Sequence, residues 1–202
     1  MENDETKTNP AEMNEKELPD VRAFEDEFTR SFLQSTEEIK PGYYPFVSGT
    51  GAYKIDFPSG GTIDQKSYAQ KEDGYEGLLI GVENENGIGS LIKVNYYSYK
   101  KNGEEESSID ALEKRVGEDL NFEKNETKHQ TFYNAPFTYG DNEYGIASFI
   151  QNKQEGGAIY VIYTAECVLS KQECTDAQEK KKKDILDWIG SIEFLNNKGE
   201  SE

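Results

Sequence analysis

The chain has 202 residues, a length that suits one domain with tails. Its 40 carboxylates outnumber 22 basic side chains, for a formal net charge of −18. That balance argues against a nucleic-acid partner, whose phosphates need clustered Lys and Arg, and against an anionic membrane surface. Hydrophobic residues are only 34% of the chain, but 13 Tyr and 10 Phe bring aromatics to 12%, more than a disordered chain usually carries, so the middle is expected to fold.

Residues 1–18 (MENDETKTNPAEMNEKEL) are acidic and nearly devoid of large apolar side chains. Such a stretch cannot bury enough surface to offset its ordering entropy, so it reads as a disordered acidic tether ahead of a single domain at 19–195. Residues 196–202 read as a frayed polar tail. Met1 is followed directly by Glu2, Asn3, Asp4 and Glu5, with no basic or apolar leader. The expectation is either a cytosolic chain or one that begins behind a removed leader. No apolar run approaches the roughly 20 residues of a membrane-spanning helix.

In chain order, Pro19-Asp20 is a start signal, with Asp20 as N-cap. Val21, Phe24, Phe28, Phe32 and Leu33 then recur at helical spacing and predict a first helix over 21–35. Residues 43–47 and 51–58 read as strands, the second alternating Tyr53, Ile55 and Phe57 against Lys54 and Asp56. Residues 62–70 read as another strand. The runs 75–83 and 89–100 flank Asn84-Glu85-Asn86-Gly87 and predict a hairpin long enough to be the centre of the sheet. A second helix is expected over 107–120, capped by Ser107 or Ser108, with Ile109, Leu112, Val116 and Leu120 on its apolar face. Residues 130–133 are extended. A second hairpin pairs 143–152 with 158–167. A third helix over 175–190, with Thr175 as N-cap, precedes a short strand at 191–195. Hairpin connections imply an antiparallel sheet, so the fold class is α+β, a central antiparallel sheet flanked by about three helices.

Three segments carry a family resemblance: Tyr53-Lys-Ile-Asp-Phe-Pro58, Phe132-Tyr133 with the hairpin 143–167, and the closing helix running into Trp188-Ile-Gly-Ser-Ile-Glu-Phe194. They resemble the PsbP/Mog1-like fold over about residues 43–195. The acidic tether followed by such a domain also resembles the mature part of Gram-positive bacterial surface lipoproteins. The resemblance implies an α/β/α sandwich, a role in binding or assembling other proteins, and a lipidated Cys upstream of Met1.

Side chains that could carry chemistry are few. Cys167 and Cys174 are the two cysteines, and their spacing is not C-x-x-C. They read as a structural disulfide or as two structural thiols; no second Cys pair or nearby His completes a metal site. A bridge would favour an oxidising compartment. His129 is the single histidine, in the polar stretch Lys128-His129-Gln130, and no G-x-S-x-G accompanies it. Glu104, Glu105 and Glu106 suit a helix N-terminus. Asp141-Asn142-Glu143 and Glu83 to Gly87 do not match a calcium loop and read as turns. Lys180, Lys181, Lys182 and Lys183 spread around a helix and read as a solvated face, with docking of an acidic partner as the alternative. Gly49-x-Gly51, Ser59-Gly60-Gly61 and Gly87-x-Gly89 fit no phosphate-binding pattern.

Tyr43, Tyr44, Tyr96, Tyr97 and Tyr99 are candidate partner-binding aromatics, since tyrosine is favoured at interfaces. The alternative is that helices cover both sheet faces and all five are core. The chain thus reads as a non-enzymatic extracytoplasmic binding or assembly module, tethered to the cell surface, without a cofactor, and with another protein as partner. The rival readings are a small hydrolase acting on cell-wall or carbohydrate material and a small-ligand or cation-binding domain.

Overall fold

Two long hairpins build the molecule. The computed structural model describes residues 9–85, 87–140 and 142–195. The first hairpin pairs β5 (Tyr75–Glu85) with β6 (Ile88–Tyr97), and the second pairs β9 (Glu143–Asn152) with β10 (Ala158–Cys167). With β3 (Gly61–Ile63), β4 (Ala69–Lys71), β7 (Glu123–Glu126) and β8 (Gln130–Tyr139) they form an eight-stranded sheet. Its order is β3-β5-β6-β10-β9-β8-β7, and β4 also pairs with β5. All pairings are antiparallel. The centre is β10, not the 75–100 hairpin that strand length alone favours. Its run AIYVIYTAEC is almost entirely buried because both faces are covered there. A second sheet of β1 (Tyr43–Val47), β2 (Tyr53–Pro58) and β11 (Glu193–Phe194) packs against the first.

Strand alternation sorts the core onto two faces. Leu78, Ile80, Ile92, Val94, Ile146, Ile150, Ile159 and Val161 point toward the small sheet and toward α4 (Lys171–Ile189), which contributes Ile185, Trp188 and Ile189. Ala147, Phe149, Ala158 and Tyr160 point the other way, beneath α3 (Glu105–Val116) with its Leu112 and Val116. The architecture is α+β, as the sequence pattern predicts, with one long helix on each face of the large sheet.

Polar side chains tie the small sheet to α4 and to the large sheet. Trp188 Nε1 donates to the Asp56 carbonyl at 2.8 Å, fixing the end of α4 to β2. Gln130, 6% exposed, donates from Nε2 to the Ile192 carbonyl at 2.8 Å and accepts from Phe194 N at 3.1 Å. Its amide thus acts as a short strand between β8 and β11.

The helix boundaries differ from the sequence pattern for local reasons. The first helix is broken into α1 (Arg22–Glu25) and α2 (Glu27–Arg30), with Asp26 extended between them. The Asp26 carboxylate accepts from Thr29 N at 2.7 Å and from its hydroxyl at 2.6 Å. This side-chain cap outcompetes a continuous helix. Beyond Ser31 the chain joins the sheet instead: Val47 N donates to the Phe32 carbonyl, and Gln34 N to that of Pro45. The strand expected at 62–70 is likewise split. Asp64 accepts from Lys66 N and Ser67 Oγ and makes a turn between β3 and β4. The helix expected over 107–120 ends at Gly117, whose φ of +92° is a left-handed C-cap. The last helix starts before Thr175, because Ser170 and Glu173 form a capping box. Residues 9–18, assigned by composition to the tether, include turns at Pro10–Glu12 and Glu15–Glu17; Pro10 is buried and Leu18 packs on the core. Residues 1–8 and 196–202 lie outside the described residues.

Candidate functional site

α3 stands over β8, β9 and β10 and covers only part of its sheet face. On the remainder, β5 and β6 present alternate residues to solvent. Register places Leu79, Lys93 and Ile162 in one row across three strands and Gly81, Leu91 and Thr164 in the next. Leu91 is 49% exposed, Lys93 is exposed, and Leu79 and Ile162 are half-buried. Gly81 lies well inside an 11-residue strand. Its φ is not positive, and a Cβ built on it would meet nothing within 4 Å. Neither backbone conformation nor crowding by the chain's own atoms requires glycine there. Gly81 directly precedes the register shift between Val82 and Glu85, and a strand glycine marks such a bulge or a close approach from outside.

At the upper end of this surface four tyrosines converge. The Tyr97 ring lies 5.2 Å from Tyr75, 5.6 Å from Tyr99 and 5.3 Å from Tyr160. Arg115 of α3 lies over the Tyr160 ring at 5.2 Å and donates to Tyr97 Oη at 3.0 Å and Asn95 Oδ1 at 3.3 Å. Asn95 Nδ2 donates in turn to Tyr75 Oη at 3.2 Å. The rings are therefore held in place rather than free to collapse, while Tyr99 remains 64% exposed.

The five tyrosines singled out from sequence divide by strand parity. Tyr97 and Tyr99 belong to the open face. Tyr96, one position out of phase, points into the core at 8% exposure against Tyr53, and Tyr44 is 4% exposed against Phe24. As buried rings, Tyr44 and Tyr96 offer no contact surface to a partner; burial, then Glu38 for Tyr44 and Asp73 for Tyr96, raises their phenol pKa values. Tyr43 is half-buried beneath the Lys40 ammonium, 4.5 Å from the ring, and burial raises its pKa too. Leu79, Gly81, Leu91 and Lys93 were not singled out from sequence. The signal available there was a glycine and a lysine inside a strongly apolar hairpin.

Cys167 and Cys174 form a disulfide with Cα atoms 5.8 Å apart. It ties the end of the central strand to the first turn of α4 and leaves Val168 (62%) and Leu169 (39%) exposed between them. His129 borders a cavity of about 400 Å³ that Thr127 and Glu193 also line. The Glu193 carboxylate is taken by Lys54 at 2.8 Å, and the Thr127 hydroxyl accepts from His129 N and Gln130 N. Among the described residues, no three His, Cys, Asp or Glu side chains converge on a metal-sized site. The Asp141-Asn142-Glu143 turn includes Asp141, outside those residues. Of the four lysines of α4, Lys181 lies 6.0 Å from the Tyr163 ring and is half-buried with Lys182, while Lys180 and Lys183 are exposed. Asp176, Glu179, Asp184 and Asp187 are spaced four residues from these two, so the outer face mixes both signs.

The model of the YvcA/Mog1p family, described as "Putative lipoprotein YvcA", matches residues 19–193. The chain belongs to this family. The protein named "Putative lipoprotein YvcA" of Bacillus subtilis (strain 168) is 26% identical over 218 residues, covering 98% of this chain and 90% of that relative. The YvcA match begins near α1 and ends in β11, so it takes in both sheets, the disulfide and the open face. A solved structure from Bacteroides thetaiotaomicron VPI-5482 aligns over 77% of this chain at 13% identity and a TM-score of 0.40. The chain spans about half of that protein, 49% of its length.

Proposed function

We propose that this YvcA-family domain is a non-catalytic binding module outside the cytoplasm, held at the membrane by a lipid anchor upstream of the described fold, and that it grips another protein with the open half of its large sheet. The observation that carries the reading is the conjunction at β5–β6 of exposed Leu91, the side-chain-free Gly81 with open space above it, and a tyrosine cluster fixed by Arg115. Rigid aromatic anchors beside a flat apolar strip gain affinity because little side-chain freedom is lost on docking. The disulfide agrees with an oxidising compartment, and the lipoprotein description of the Bacillus subtilis relative agrees with the anchor.

Placing a photo-crosslinkable amino acid at Leu91, Tyr99 and Ile39 in cells of the source tests the surface. Ile39 is 53% exposed, outside the open face. The expected result is one covalent adduct protein from Leu91 and Tyr99, lost when Lys93 is changed to Glu, and none from Ile39. No adduct from either open-face position overturns the docking face. Recovery of the native protein without an acylated N-terminal Cys overturns the anchor.

A further inference from the structure

The open half-face has the dimensions of a missing helix. The layer on this side of the large sheet holds α3 over β8–β10, its Arg115 reaching Asn95 and Tyr97 of β6, and leaves the strip of Leu79, Gly81, Leu91 and Lys93 without a helix among the described residues. Neighbouring strands lie about 4.8 Å apart and a helix with its side chains is about 10–12 Å across. Two to three strands therefore offer one helix-wide seat beside α3. From the side-chain chemistry of that seat, and resting on the docking reading above, we infer that its occupant is an amphipathic helix of the partner protein that brings a carboxylate to Lys93.

Other occupants fit less well. An added strand needs an open sheet edge, but β5 is paired by β3, β4 and β6, and β6 by β5 and β10. A second sheet laid flat on the face, including that of another copy of this chain, would have to share its layer with α3 over β8–β10. A single helix slides in beside α3. It sets its apolar stripe on Leu79, Leu91 and Ile162, and the bare Gly81 lets its backbone come close.

Lys93 then decides the charge of the visitor. Its cross-strand neighbours are Leu79 and Ile162, and Leu91 lies two residues away on the same face. Among the described residues no carboxylate stands within ion-pair distance of its ammonium. Covering this strip removes water from the lysine, and a buried ammonium without a counter-charge is strongly unfavourable. The helix must therefore carry Asp or Glu at the border of its apolar stripe. The domain as a whole is strongly acidic, so this lysine selects a local feature of the partner and not its net charge.

Two synthetic amphipathic peptides of about five helical turns test the inference, one with Glu and one with Lys bordering the same leucine stripe. Each is titrated into the full 202-residue chain and followed by amide chemical shifts. The Glu peptide should bind saturably, shifting Leu79, Leu91, Lys93 and Ile162. Lys93→Glu should weaken it by about tenfold or more and transfer the preference to the Lys peptide. Leu91→Asp should abolish both, and the melting temperatures of the two variants establish that they fold. Equal binding of the two peptides, no saturable binding of either, or shifts centred away from β5 and β6 overturns the helical occupant. The crosslinking experiment separates the two readings. An adduct at Leu91 that maps to a strand or loop of the captured protein removes the helix and keeps the docking face, whereas no adduct removes both.

Discussion

Glu76 is wholly buried, and among the described residues no Lys or Arg reaches it. Its carboxylate is held by donors alone: Gly49 N at 2.8 Å, Tyr68 Oη at 3.1 Å and Thr50 Oγ1 at 3.2 Å. Gly49 and Thr50 belong to the turn between β1 and β2, so one side chain on β5 fastens the small sheet to the large one. Burial raises the Tyr68 phenol pKa well above the ordinary value, and the charge of Glu76 and the bond to it raise it further. Glu76→Gln replaces one acceptor oxygen by an NH₂ that faces other donors. It is expected to lower stability by about 1–3 kcal/mol, read as a lower urea midpoint at unchanged slope. The Tyr68 pKa should fall in the variant but stay above that of free tyrosine, because its burial persists. An unchanged midpoint would show that water or a rotated donor satisfies the buried group.

The Cys167–Cys174 bridge acts on the junction between β10 and α4. It closes a short loop, with a sequence separation of 7, for which the loss of unfolded-chain entropy is worth about 2–3 kcal/mol. The double change of both cysteines to Ser should lower stability by that amount and loosen the exposed Val168-Leu169 tip first. It should leave α4 docked, because Ile185, Trp188 and Ile189 hold its other half in the core. Hydrogen exchange should therefore speed up at the start of α4 and not at its end, and two free thiols in the denatured wild-type chain would refute the bridge itself. The same contrast explains what could be read in advance. The hairpins were legible because the apolar, β-prone runs YEGLLIGVE and AIYVIYTAEC are bounded by glycine-containing turns, and burial of such a run does not depend on details. Helix breaks were not, because single carboxylates at Asp26 and Asp64 decide them by bonding to nearby backbone. The capping box at Ser170 was written in the sequence, four residues and a serine away from a helix of the right length, but Thr175 competes for the same role by type alone. The open face lay beyond sequence patterns: the parity of Tyr97 and Tyr99 against Tyr96 is readable, whereas which parity stays uncovered depends on where α3 lands.

Across the whole molecule, charge and burial act in opposite directions on pH dependence. The chain carries −18 near neutrality, and its core holds phenols that ionise only with difficulty. Burial raises Tyr53 well above the ordinary tyrosine pKa, with the Glu76 charge adding to it, raises Tyr163, and pushes Tyr144 up to about 12, with Tyr163 and Asp184 contributing. A group whose pKa is higher in the folded chain stabilises that chain fully below its unfolded pKa, near 10 for tyrosine. The contribution is lost as pH rises through the folded value. On the acid side the sign reverses. Asp64, Glu126 and Glu173 have lowered pKa values because Ser67, Lys124 and Ser170 hydrogen-bond to their charged forms. Their contribution is present above the ordinary carboxylate range and fades as pH falls through the folded values. All three are exposed, so the acid arm should be shallow. The alkaline arm should be steep, because several buried phenols ionise together. Unfolding above about pH 10 should therefore be cooperative, with the loss of far-ultraviolet circular dichroism coinciding with the late part of the tyrosinate absorbance rise. Full ionisation of every tyrosine while the sheet signal stays intact would overturn the two-face burial on which the open half of the sheet is defined.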